Sequence, residues 1–411
     1  MIKGSIEELI SVNPKVKLEK GQEYPFISMD IVQPYYKPVY PLEKREFKSG
    51  GSKFEEGDTL FARITPCLEN GKTAQVKGLE NRKGFGSTEF FVLRGKEGIT
   101  NNEFVYYLTI DKDFRKSAEK LMTGTSGRQR VDKQQFLKQI IEIPNIDEQV
   151  KISSILKGLD DKIELNNKMN QTLEEMAMTL YKNWFVDFGP FKDGEFVDSE
   201  LGRIPKGWEV VSLKDVVTTK YGYTASASDE KVGPHFLRIT DIQDNFISWK
   251  DVPYCEIDED NFNKYRLQKG DVVIARTGNS TGTVGYINSF VNAVYASFLV
   301  RLKPKTRDLS THFLYLLTVS SDYQNYLLGA ASGTTRKGAN AKLMTEYKLV
   351  LPPGNVMEDF HSSVDSLLEQ IELNLMENTV LTKVRDLVLP KLLSGEIDLS
   401  EADEHVREIT Q

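Results

Sequence analysis

Two patterns of apolar and polar residues take turns along the chain, and each occurs twice. In the first, short runs alternate as half-buried strands do: Tyr24-Pro25-Phe26-Ile27-Ser28-Met29-Asp30-Ile31-Val32, then His235-Phe236-Leu237-Arg238-Ile239-Thr240-Asp241-Ile242. Next come Gly57-Asp58-Thr59-Leu60-Phe61-Ala62-Arg63 and Gly270-Asp271-Val272-Val273-Ile274-Ala275-Arg276, where Gly-Asp makes a turn and the apolar run makes a buried strand ending in arginine. Strands over 89–94 and 295–302 follow, then amphipathic helical stretches over 102–121 and 311–328. A loop of small and basic residues closes each series, Thr123-Gly124-Thr125-Ser126-Gly127-Arg128 and Ser332-Gly333-Thr334-Thr335-Arg336. Each series predicts an α+β unit around a mixed or mostly antiparallel sheet.

After Pro144 and Pro352 the period becomes seven. Leu159, Asn166, Leu173 and Leu180 recur in the first copy, and Leu367, Asn374, Leu381 and Val388 in the second. Such a stripe predicts two long helices that pair antiparallel, in the manner of a coiled coil. Asn166 and Asn170, and at the matching places Asn374 and Asn378, interrupt it. A polar residue in a seam fixes register at a cost in stability, and here Asn can pair with Asn between the copies; the alternative is a position at the rim of the stripe. From about residue 147 to 184 the first helix would run ~57 Å, at ~1.5 Å per residue. Gly189-Pro190 ends it, and Pro390, where the first copy has Lys182, predicts that the second helix kinks or stops earlier.

The second copy is the first shifted by half the chain. Ile163-Glu164-Leu165-Asn166 returns 208 positions later as Ile371-Glu372-Leu373-Asn374, and the same shift sets Arg128 on Arg336, Pro144 on Pro352 and Leu173 on Leu381. A period this long means a duplicated domain pair, since solenoid units run about 20–50 residues. The expected order is a globular unit at 1–144, a long helix at 145–187, a linker at 188–207, a second globular unit at 208–352, and a long helix with a tail at 353–411.

The net charge of −7 is unevenly spread over this order. The globular segments are mildly basic, +4 over 1–144 and +2 over 208–352, whereas 145–207 carries −4 and 353–411 carries −9. That division suits nucleic acid at the globular units and protein partners at the helices, although glutamate-rich solvated helix faces produce the same numbers. No apolar run is long enough to span a bilayer, the N-terminal residues lack the apolar core of a secretion signal, and Cys67 and Cys255 stand alone. A cytoplasmic protein without a disulfide framework is expected.

Taken in order, these elements resemble the specificity subunit of a type I restriction-modification system, over nearly the whole chain. The resemblance rests on the Gly-Asp-x-x-x-Ala-Arg strand in both halves, the loops ending in Arg128 and Arg336, and the proline-then-helix segments with Ile-Glu-Leu-Asn. It rests also on the connector from Phe188 to Trp208, with Leu201-Gly202-Arg203-Ile204-Pro205-Lys206-Gly207-Trp208, and on the ending Leu389-Pro390-Lys391-Leu392-Leu393-Ser394-Gly395-Glu396-Ile397. One departure is that the first unit begins at Met1 without the Gly-Trp-Glu lead-in that 207–209 gives the second. The resemblance implies that 1–144 and 208–352 are target recognition domains, each reading one half of a bipartite double-stranded DNA sequence. It further implies that the helices separate the domains as a ruler and dock two modification (N6-adenine methyltransferase) subunits, and that restriction subunits can join the complex. Two units of different sequence imply different half-sites. The competing expectation is a helical adaptor that scaffolds a protein complex without reading DNA.

No catalytic apparatus is legible. Leu351-Pro352-Pro353-Gly354 has neither the polar residue nor the aromatic of an N6-adenine methyltransferase tetrad, and in the P-loop-like Asn70-Gly71-Lys72-Thr73 the first glycine of the motif is replaced by Pro66. The four histidines, His235, His312, His361 and His405, are isolated in sequence, so neither a metal nor a cofactor is expected. For DNA contact, Arg63 and Arg276 suit guanine edges, with pairing to Asp58 and Asp271 as the alternative. Arg128, Arg130, Arg336 and Lys337, with Thr125, Ser126, Thr334 and Thr335, suit phosphate oxygens. Asn279 and Ser280, and Lys72 in the counterpart segment, follow the arginine strands and take the same role. Tyr35, Tyr36, Tyr221 and Tyr223 either reach bases or fill core.

Overall fold

A computed structural model describes residues 1–125, 127–243, 246–247, 249–306, 308–332 and 338–397. The chain folds into two compact units, Met1–Glu164 with Val380–Gln411, and Leu165–Thr379. Two long helices, Ile146–Phe185 and Gly354–Ser394, each contribute one part to either unit.

In the first unit, strand Ile2–Ser5 pairs antiparallel with Ile140–Ile143 and so closes the domain just before the long helix. A mixed five-stranded sheet runs in the order Ile10–Val12, Phe90–Gly95, Thr59–Ala62, Thr73–Val76, Pro38–Val39. A second sheet of four strands runs Glu43–Glu46, Glu23–Ile27, Lys83–Gly86, Ser52–Glu55. The apolar face of the first sheet meets helices Asn102–Ile110 and Lys112–Glu119, with Phe61, Phe91, Phe114 and Phe136 in mutual ring contact. Ile152 and Leu156 from one long helix and Leu389 and Leu392 from the other complete that core.

The second unit repeats the plan. Glu209–Ser212 pairs with Lys348–Leu351, taking the place of the Ile2–Ser5 pairing, and an antiparallel sheet runs Val217–Tyr221, Leu299–Pro304, Val272–Ala275, Val284–Tyr286. Both lead-in strands turn into a short helix through the same capping box, Ser5 with Glu8 and Ser212 with Asp215. The run 235–242 is a strand over His235–Leu237, paired in parallel with Ala293–Tyr295, then a 3₁₀ turn over Ile239–Asp241, and at Ile242 enters a second short strand paired with Phe246–Ile247.

The amphipathic stretches over 102–121 and 311–328 each form two helices. Asp111 ends the first helix in an extended conformation, and its carboxylate accepts from the main-chain N–H of Asp113 and Phe114 to start the next. Ser320 plays the same part between Thr311–Val319 and Ser321–Ser332. Side chains that bond their own backbone compete with helix continuation, and here that competition wins.

Pro390 does not stop its helix, which runs on to Ser394 before Gly395 takes a left-handed conformation. An interior proline costs about 3 kcal/mol. The neighbouring Leu389 and Leu392 are both buried in the first unit's core, each worth roughly 1.5–3 kcal/mol, so packing outweighs propensity.

Within each unit the long helices run antiparallel. In the second, Asn166 is fully buried and donates to the side chain of Asn378 at 2.9 Å and to Glu377 at 2.7 Å, while Asn374 donates to Asn170 at 2.7 Å. The 208-residue shift turns the first Asn pair into the second. Asn378 donates in turn to Asn167, and Gln370 to Asn374, so most of these buried amide groups are satisfied.

In the first unit the seam holds an ion pair. Arg385, 2% exposed, donates to Asp160 at 2.8 Å and to the Tyr35 carbonyl at 3.1 Å, and the Tyr107 hydroxyl donates to the other Asp160 oxygen at 2.9 Å. Shifted by 208, Asp160 and Arg385 become Leu368 and Ala177, both buried in the core of the second unit. The same seam position is thus ionic in one unit and apolar in the other. Arg385→Ala alone should cost about 3–5 kcal/mol in urea denaturation, because it strands a buried carboxylate, whereas Asp160→Leu with Arg385→Ala should recover the larger part.

Candidate nucleic-acid interface

Each Gly-Asp turn uses its glycine to enter a left-handed conformation, φ +85° at Gly57 and +92° at Gly270, which a side chain would resist. The aspartate that follows is buried and structural. Asp58 accepts from the Glu55 N–H and takes a two-point bond from Arg94, at 2.6 and 2.8 Å. Asp271 likewise accepts from the Gln268 N–H and faces Arg301 at 3.4 Å. Burial pushes both carboxyls above their ordinary range, against the opposing pull of the arginine in each case. Arg94 and Arg301 occupy matching strands, so this pair is duplicated. No pattern in the sequence singles them out, because the partners lie on strands far apart along the chain.

Since Asp58 and Asp271 are engaged elsewhere, Arg63 and Arg276 do not pair with them. Arg63 lies over the Phe91 ring at 4.8 Å and donates to the Val131 carbonyl at 3.3 Å. Arg276 lies over the Tyr221 ring at 5.1 Å and donates through Nε to the Ser297 carbonyl at 3.1 Å. Both side chains are half-buried.

The main chain at these arginines is the hub of the site. In the first unit the Arg63 N–H donates to the Glu89 carbonyl, and the Arg63 carbonyl accepts from Val131 at the return of the loop through Arg128. In the second, Arg276 donates to the Phe298 carbonyl and accepts from Ala339 at the return of the matching loop. Thr65 tightens the first copy, since its hydroxyl accepts from the Gln129 N–H at 2.8 Å. The bridge between Thr277 and Gly338 tightens the second. In both units, therefore, the arginine and the segment after it are bonded to the residues that follow the loop of small and basic residues.

The remaining candidates divide by exposure. Thr125, Arg128 and Arg130 are exposed, and Arg128 makes no side-chain ion pair with a described residue. Arg130 is held by Glu89 in a forked contact at 2.7–3.0 Å, which raises its pKa. Asn279 is exposed and Ser280 half-buried on the 3₁₀ turn Gly278–Ser280. Lys72 instead turns inward and donates to the Met29 carbonyl at 2.8 Å. Next to it Gly71, at φ +82°, is covered by the Tyr35 ring, which would lie 2.5 Å from an added Cβ. Tyr36 packs against Leu159, Ile163 and Leu381, and Tyr223 against Tyr265. Ser126, Thr334, Thr335, Arg336 and Lys337 lie outside the described residues. The histidines are not all isolated in space, because His312 and His361 stack at 4.2 Å beside Asp365.

Comparison with known proteins agrees with this duplicated frame. A family model described as the type I restriction modification DNA specificity domain matches twice, over residues 8–175 and 205–382. The EcoAI specificity subunit of a type I restriction enzyme from Escherichia coli is 33% identical over a 458-residue alignment that covers 89% of this chain and 77% of that one. The HindI specificity subunit from Haemophilus influenzae is 28% identical, covering 84% and 87%, and the MjaIX subunit from Methanocaldococcus jannaschii is 29% identical, covering 74% and 71%. The crystal structure of the S subunit of a type I restriction-modification system from M. genitalium shares the fold, with a TM-score of 0.54 at 15% identity over 95% of this chain and 96% of that one. With two tandem matches that take in both globular units and most of both long helices, the chain belongs to the type I restriction-modification DNA specificity subunits.

Proposed function

We propose that each unit reads one half of a bipartite duplex target, and that the chain, with no catalytic groups of its own, directs N6-adenine methylation by two modification subunits and cleavage by restriction subunits in the cytoplasm. The observation that carries this reading is the shared frame: in both units the residue that returns from a loop of small and basic residues, Val131 or Ala339, is bonded to the arginine that ends the Gly-Asp strand. Around that frame the side chains differ, so one scaffold presents two reading surfaces. Relatives named as subunits of type I restriction enzymes support the existence of partner subunits. A scaffold that does not read DNA is disfavoured by the two family matches.

Within this reading, Thr125, Arg128, Asn279 and Ser280, with Ser126, Thr334, Thr335, Arg336 and Lys337, contact phosphates and base edges. Arg63, Arg276 and Lys72 hold the loops in place from within, and Arg130 must exchange Glu89 for DNA. Asn166, Asn170, Asn374 and Asn378 set the register of the long helices.

Methylome sequencing of a host with and without this gene should show one bipartite N6-methyladenine motif vanish on deletion; an unchanged methylome would overturn the proposal. On the purified chain, Arg128→Ala should weaken duplex binding and flatten the plot of log affinity against log salt by about one unit. Arg130→Ala should have the smaller effect, as its charge is already met by Glu89. Filter binding at several salt concentrations reads both.

A further inference from the structure

The strongest cluster of ligating groups outside the proposed reading surface sits where helix Thr311–Val319 meets the long helix Gly354–Ser394, within the second unit. His361 and Asp365 are one turn apart on the long helix and share a face. His312 projects from the first turn of the shorter helix, and the ligating atoms of all three residues lie within 4.8 Å of one another. We propose that His312, His361 and Asp365 form a site for one divalent transition-metal ion of the zinc class, which staples the second recognition domain to its long helix.

Both rings already engage one nitrogen, and because they stack nearly parallel, with centroids 4.2 Å apart and planes at 11°, they must splay for both to meet one ion. His312 Nδ1 meets the Tyr286 hydroxyl at 2.7 Å, and His361 Nδ1 meets the Ser310 hydroxyl at 2.9 Å. Ligating histidines almost always engage their second nitrogen in this way, which fixes the ring and frees Nε2 for the ion. His312 Nε2 is 2.8 Å from an Asp365 oxygen, and the ion takes the place of the proton that bridges them. Two imidazoles and a carboxylate are the donor set of open zinc sites, with metal–ligand distances of about 2.0–2.2 Å and a fourth position for water. Ligand atoms in that geometry stand about 3.4 Å apart, so the His312–Asp365 pair must open slightly while the remaining separations, within 4.8 Å, close. His312 is buried, whereas the Asp365 side chain is 42% exposed, which gives the ion an entry path. Lys269 acts on both His312 and Asp365 and works against a second cation, so the site must compete with that charge.

The first unit supplies an internal contrast. The helix starts align at a shift of 209, which sets Glu103 against His312, and the long helices at 208, which sets Ser153 and Lys157 against His361 and Asp365. There Lys157 pairs with Asp161 on its own helix and Glu103 with Lys37 at 2.6 Å, so the matching positions hold no cluster of metal-ligating side chains. The cluster is therefore a property of the second recognition domain and not of the shared frame.

The test is to strip the full-length chain with chelator and titrate it with Co²⁺ by visible absorption and with Zn²⁺ by calorimetry and thermal unfolding. Expected are one equivalent bound, ligand-field bands from cobalt, and a rise in Tm with zinc. His361→Ala and Asp365→Asn should each weaken binding at least tenfold, while His235→Asn leaves it unchanged. If His361→Ala does not fold, the partly exposed Asp365→Asn still reports. Failure of the wild-type chain to take up either metal, or equal affinity in Asp365→Asn, would overturn the proposal. Loss of metal binding with DNA binding intact leaves the recognition reading standing, so the two are separable.

Discussion

An apolar stripe along a helix of some forty residues has to be covered by something, and a lone helix cannot cover its own. Here the cover comes from two sources in each unit: the facing long helix, and the small helices that lie on the domain's sheet. Ile152 and Leu156 meet Leu389 and Leu392 above the first sheet, and Ala177, Tyr181 and Phe185 meet Phe360, Val364 and Leu368 beside the second. Part of the helical seam and one part of the domain core therefore form a single hydrophobic body in each unit, and burial that stabilises the seam there also fixes where the domain sits on it. The surface loops inherit their placement from that body.

The two units solve the same structural problems, sometimes with the same chemistry and sometimes not. The buried Asp–Arg pair behind each Gly-Asp turn is kept in both, as are the capping boxes and the main-chain bonds at Arg63 and Arg276. At the seam an ion pair in one copy is replaced by Leu368 and Ala177 in the other, as expected if a buried salt bridge and a packed apolar pair are close in net stability. What is held constant is position, and the means of holding it vary.

Much of this was legible in the sequence, for a physical reason. Patterns with a local period, such as the arginine strands, the seven-residue stripe and the 208-residue repeat, write themselves into neighbouring residues. The caps at Asp111 and Ser320 leave no mark in the pattern because each capping side chain sits inside an amphipathic stretch, and Pro390 does not end its helix because the burial that overrides it comes from residues far away in sequence. The Asp58–Arg94 pair, the Asp160–Arg385 pair and the meeting of His312, His361 and Asp365 are long-range facts, and composition carries no trace of them. The candidate loops were found by their small and basic residues, but the inward turn of Lys72 and the ring beneath Arg63 depend on the fold.

The division of the chain has a consequence for the order in which it is made. The first unit is assembled from residues 1–164 and from a segment beginning at Val380, with the whole second unit between them. A ribosome releases Arg385, Leu389 and Leu392 only after residues 1–164 and the whole second unit have emerged, so until then Asp160, Ile152 and Leu156 wait without their partners. Closing a loop of more than two hundred residues adds little to the final stability, because its entropic cost grows only logarithmically, but it must come late. The part of the chain made first is thus the part completed last, and its interim exposure of apolar surface is a liability of the kind that chaperones meet.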